Sequence, residues 1–183
     1  MAARFPELSD KLIDFIRAQR LFFVGTAAPD GTINVSPKGG DTLQVRSPKQ
    51  ILWLNFTGSG NETAAHLRLS DRLTMMFCSF EEQPLILRCY GHARAIHPRD
   101  ADWDTYAAEL PPHKSARQLV LFDIDLVQTS CGFGVPRYQF GGERDNMDKW
   151  LASRDHADIE AYWADKNQVS LDGLPTGIFE DTQ

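Results

Sequence analysis

The sequence predicts a mainly β fold: an antiparallel barrel of six or seven strands with helices at its periphery. Three observations carry this. Short segments with period-two alternation recur along the chain, most neighbours are joined by tight-turn signals, and the helical stretches are inserted at intervals. A doubly wound sheet would instead alternate strand and helix regularly. With 183 residues, 42% apolar and 24% charged, residues 1–183 have the size and composition of a single domain. No linker or internal repeat divides them.

The elements follow in order. Residues 8–19 form an amphipathic helix that Ser9 can cap, with Leu12, Phe15 and Ile16 on one face. Residues 21–27 are β-rich, Pro29-Asp30-Gly31 is a turn, and residues 32–38 alternate strictly. In that second strand Ile33 and Val35 point one way, while Thr32, Asn34, Ser36 and Lys38 point the other. Residues 43–46 and 50–56 make the next hairpin, turned at Ser47-Pro48-Lys49. Asn61 then opens a short helix to about Leu69, with Leu67 rather than His66 expected toward the core.

Residues 73–80 are apolar on both faces, as in a covered strand. Residues 85–97 form a long strand with Ile86, Arg88, Tyr90, His92 and Arg94 on one face. Residues 98–109 begin with proline and acids, a good helix start. Residues 118–128 are a strand in which Val120, Phe122, Ile124 and Leu126 alternate inward. A Gly-rich aromatic loop, residues 130–136, and a helical acidic tail from about 143 to 166 complete the chain.

Composition narrows the function. A formal charge of −6 argues against nucleic acid, whose phosphates demand a basic surface. A small anionic ligand needs only a local positive spot. The three cysteines, Cys78, Cys89 and Cys131, are scattered and suggest neither a disulfide framework nor a zinc site. With no signal-peptide block and no membrane-length apolar run, the expectation is a cytoplasmic protein that does not engage membranes.

Two segments could carry chemistry. The polar strand face ends in Ser36-Pro37-Lys38-Gly39-Gly40, where glycines permit close backbone approach and a lysine supplies a point charge for phosphate. From periodicity alone, a solvated outer face is the commoner fate of such alternation. The second segment, Thr57-Gly58-Ser59-Gly60-Asn61-Glu62-Thr63, feeds a Gly-rich stretch into a helix start. Orphan amides there favour an anion, although Glu62 opposes one and a plain capped helix would look the same. No HExxH, carboxylate pair or Ser-His-Asp order stands out, which suits chemistry carried by a cofactor.

The order and spacing of SPKGG, ILWLNF, GSGNETAAHL, LILRCYGHARAIH and SCGFGVPRY resemble the FMN-binding split-barrel family related to pyridoxamine 5'-phosphate oxidase, over roughly residues 10–140. The tail is similar to a flavin-nucleotide-binding subgroup. The resemblance implies a split barrel that binds FMN as a homodimer, the isoalloxazine ring lying between subunits. It maps the phosphate and ribityl chain onto Asn34, Ser36, Lys38, Thr57, Asn61 and Thr63, beside which Ser59 of the Gly-rich segment can add a hydroxyl hydrogen bond. It also implies an oxidoreductase acting between FMN and a small organic substrate or a nicotinamide cofactor. A non-catalytic flavin carrier, or a barrel using haem or deazaflavin, is the alternative.

The chain departs from the oxidase at the helix start, where Glu62-Thr63 replace an Arg-Lys pair. Lys38 and helix amides would then hold the phosphate, helped by another arginine such as Arg88 or Arg94. The ending SLDGLPTGIF does not match the arginine and histidine with which the oxidase grips pyridoxal phosphate. Vitamin B6 oxidation is therefore not the expected activity.

Overall fold

The computed structural model describes residues 2–179. Its centre is one antiparallel sheet of eight strands: β1 (Ala3–Phe5), β2 (Leu21–Ala27), β3 (Ile33–Gly39), β4 (Leu43–Ser47), β5 (Gln50–Phe56), β6 (Arg72–Cys78), β7 (Ile86–Ile96) and β8 (Ala116–Ser130). The order is β3-β2-β6-β7-β8-β5-β4, with β1 added to the far end of β8. The sheet curls without closing, so the fold is a mainly β split barrel whose unpaired edges are β3 and β4. Seven of these strands coincide with the seven alternating segments; the eighth, β1, is three exposed residues paired only with β8.

The alternation pins each strand's register. Phe22 and Val24 of β2, Leu73, Met75 and Phe77 of β6, Leu87 and Cys89 of β7, and Ile51 and Trp53 of β5 all enter one core. Strand β6 has its second apolar side only half-buried, so the expectation of two covered faces is corrected. A bulge between Tyr90 and Gly91 against β8 shifts the register, pairing Tyr90 with Leu126 but Gly91 with Ile124. The inward run therefore continues from Ile124 to Val127, and Leu126 turns outward instead. Gly91 permits this: a methyl group there would collide with the Asp123 carbonyl oxygen.

The helices are shorter than the sequence suggests. They are α1 (Asp10–Ala18), α2 (Glu62–Leu67), α3 (Trp103–Ala107), α4 (Asn146–Ala152) and α5 (His156–Lys166). Helix α1 lays Leu12 and Ile16 on the core. The acidic tail is two helices, because Asp155 interrupts it and starts α5 with a reciprocal capping box to Asp158. Leu151, Ile159, Trp163 and Ile178 form a separate small core under these helices. Among the described residues, no helix is long and apolar enough to cross a membrane.

Candidate anion-binding site

Register decides the fate of the polar strand face. Lys38 pairs with Phe22, Ser36 with Val24 and Asn34 with Thr26, and those partners point into the barrel. Cross-strand pairs share a face. The polar side of β3 is therefore turned inward, while Ile33 and Val35 stand 76% and 65% exposed. This is the reverse of a solvated outer face.

Lys38 crosses the split of the barrel. Its ammonium donates to Asn55 Oδ1 on β5 at 3.2 Å and lies 5.1 Å from the Trp53 ring centroid. It lines an open cleft of about 590 Å³ together with Ser36, Trp53, the 57–60 loop, Glu62 and Arg117. Burial, and then the neighbouring Arg117 charge, pull the Lys38 ammonium down to about 8, while Glu62 pulls the other way.

Arg117 is the residue sequence reasoning missed. It sits near the start of β8 and is only 2% exposed. Its Nη1 donates to Asn167 Oδ1 at 2.8 Å, to the Gly60 carbonyl at 3.0 Å and to the Gly58 carbonyl at 3.3 Å. Its buried Nε has no partner. All three acceptors are neutral, and burial pulls the guanidinium down to about 10, so it stays charged at neutral pH. A buried cation without a contacting carboxylate is costly and calls for an anion. Its signal in the sequence was the polar pair Arg117-Gln118 heading an apolar strand; both residues are buried.

The other residues singled out from the sequence divide into two groups. Ser36, Thr57 and Ser59 line the cleft with Lys38. Thr57 Oγ1 is engaged within the protein, donating to the Ser115 carbonyl and accepting from Trp163 Nε1. Asn34, Asn61 and Thr63 stand behind the lining. Asn34 donates to Thr63 and Thr26 and receives the Ser36 hydroxyl at 2.8 Å. Asn61 occupies the start of α2 but makes no capping bond; its side chain accepts from Gln118 and donates to the Asn167 carbonyl. Helix α2 has six residues, and Glu62 folds back over Gly60, so side-chain cations rather than helix amides dominate this site.

Arg88 does not line the cleft; it faces outward on β7 and donates to Ser130 Oγ. Arg94 is held by Asp102 at 2.5 Å. The arginine beside Lys38 is therefore Arg117. His66 is also corrected: it is fully buried, 3.1 Å from Thr26 Oγ1, because α2 packs against β2 rather than standing in solvent. His92 lies between Asp71 and Asp125 on the surface, and both carboxylates raise its pKa. In the 130–136 loop Gly132 turns tightly against Leu85, and Phe133 projects into solvent.

An inward-facing strand end, a Gly-rich loop and two cations thus meet at the split of the barrel. The comparisons agree on the fold. A putative pyridoxamine 5'-phosphate oxidase from Lactobacillus delbrueckii superposes with a TM-score of 0.54 at 18% identity, over 67% of this chain and 94% of that one. A single-residue variant of HupZ from Group A Streptococcus also gives 0.54, at 17% identity, over 67% and 98%. Residues 8–131 match the pyridoxamine 5'-phosphate oxidase family. The pyridoxamine 5'-phosphate oxidase family protein ustO from Aspergillus flavus is 35% identical over 189 residues, covering 93% of this chain and 76% of ustO. The chain belongs to the pyridoxamine 5'-phosphate oxidase family.

Proposed function

We propose that this chain is an FMN-binding oxidoreductase in which Lys38 and Arg117 hold the phosphate of the flavin. The observation that carries the reading is their convergence on one cleft, against the single opposing charge of Glu62. The fit is chemical as well as spatial. Arg117 is pinned by neutral acceptors with Nε left unpaired, and Ser59 adds a hydroxyl to the lining. Bound there, FMN would exchange hydride or electrons with a small organic substrate or a nicotinamide cofactor.

The chain's own residues would orient and shield the ligand. Lys38 supplies a charge that burial has already stripped of much of its water, so an incoming phosphate meets less competition from solvent. Trp53 and Phe56 give the cleft an apolar wall. The Asn34–Thr63–Thr26 bonds fix β3 on α2 and so fix where Ser36 and Lys38 point.

The outward side of β3 belongs to the same reading. Ile33 and Val35 stand beside the half-buried outer side chains of β2 and β6, including Phe23 and Met76. A second copy of the chain covering this apolar face would make a homodimer in which β3 serves the cleft on one side and the interface on the other.

The purified protein should take up FMN with an oxidised-flavin spectrum, and NADH or NADPH should bleach it. Bound flavin that neither nicotinamide reduces would indicate a carrier rather than an enzyme. A protein that leaves FMN fluorescence unquenched would refute flavin binding.

A further inference from the structure

We propose that Asn167, at the C-terminal end of α5, is the positioning residue of the anion site, holding Arg117 and the 57–60 loop in the arrangement that receives phosphate. This inference rests on the FMN reading above. The placement follows from helical spacing. Trp163 and Asn167 are four residues apart and so share a face of α5. Trp163 Nε1 donates to Thr57 Oγ1 at 2.9 Å, while Asn167 continues one turn further along the same loop.

Asn167 uses both ends of its amide. Its Oδ1 accepts from Arg117 Nη1 at 2.8 Å, and its Nδ2 donates to the Gly58 carbonyl at 2.9 Å. Its backbone carbonyl accepts from Asn61 Nδ2 at 3.3 Å and from Thr176 Oγ1 at 2.6 Å. The residue is 0% exposed, so no solvent replaces these bonds when one is lost. A carboxamide is the fitting group: it accepts from the guanidinium without cancelling its charge, and donates to the loop at once. An aspartate of the same shape would pair with Arg117, neutralise its charge inside the protein and lose the bond to Gly58.

Thr176 secures this arrangement from beyond a small hairpin. Gln168 and Thr176 pair across it, and its tip, Asp172, accepts from the Thr32 amide and hydroxyl at 2.8 and 2.7 Å. Leu171 borders the cleft, so the hairpin spans from the β2–β3 turn to the 57–60 loop. Asn167 lies in the tail, beyond residues 8–131, the part matched to the family.

The test is the dissociation constant of FMN and of riboflavin, by fluorescence quenching, for wild type, Asn167→Asp and Thr176→Val. The expected result is a roughly tenfold loss of FMN affinity in Asn167→Asp with riboflavin unchanged, and a smaller loss of the same kind in Thr176→Val. A purely structural role would weaken both ligands together. A folded Asn167→Asp protein with the wild-type preference for FMN overturns the proposal. If that variant does not fold, Thr176→Val decides by the same ratio. Wild type that binds FMN no better than riboflavin removes the phosphate reading and this inference with it. Wild-type discrimination that survives in the variants removes the inference alone.

Discussion

Lys38 does its work because of where β3 ends. A lysine on a solvated strand face keeps its ordinary affinity for protons, but burial, and then the neighbouring Arg117 charge, draw this one down to about 8. The consequences for pH have opposite signs with and without ligand. In the ligand-free protein the folded state releases the Lys38 proton more readily than the unfolded chain. This group's contribution to stability therefore rises as pH climbs from about 8 towards its ordinary value near 10.5. Phosphate binding needs the charged form, so FMN affinity should fall as pH rises through about 8. The phosphate ester is already doubly charged there and adds no titration of its own. Titrations between about pH 7 and 9 should show this decline for wild type and a flat profile for Lys38→Met. A wild-type profile that is equally flat would place the lysine away from the phosphate. At this scale the sequence showed Lys38 and its glycines but not Arg117. Its anchor, Asn167, lies 50 residues away, and no local pattern joins them.

Among the elements, period-two alternation identified seven strands but not which side of each meets the core. For β7 the apolar side settles that question. For β3 it misleads, since the polar side faces in and Ile33 and Val35 face out. Which side of β3 faces in is set by its pairing with β2, and one strand's sequence does not show that. The β7–β8 bulge is a second case, because one extra residue exchanges the faces of Leu126 and Val127. Gly91 was legible as part of an alternating strand, yet its role is to accept the Asp123 carbonyl at close quarters. Gly91→Ala should cost roughly 1–3 kcal/mol of stability by overpacking. That would appear as a lower denaturant midpoint with an unchanged slope. A midpoint equal to wild type would mean that the bulge relaxes freely. Helix α2 shows the same limit: its six residues bury His66 because α2 lies on β2, a tertiary fact that helical spacing alone does not contain.

For the molecule as a whole, the barrel was legible and its completion was not. Alternation, turns and inserted helices foretold an antiparallel barrel, and the order of segments pointed to the right family. The tail looked like loop and helix appended to it. In the folded chain Leu171 lines the cleft, while Trp163 and Asp172 tie the tail to Thr57 and Thr32 through pairings 106 and 140 residues apart. The outer face of β3, β2 and β6 gives a further prediction at this scale. Val35→Glu should convert a dimer to a monomer in light scattering, since an uncompensated charge would enter an apolar interface. A dimer that persists would locate the interface elsewhere. The phosphate site is tested most directly by the ratio of FMN to riboflavin affinity in wild type and Lys38→Ala near neutral pH. Loss of one charged hydrogen bond predicts that the substitution weakens FMN by about 1–3 kcal/mol and leaves riboflavin almost unchanged. Equal losses for the two ligands, or none for either, would contradict it.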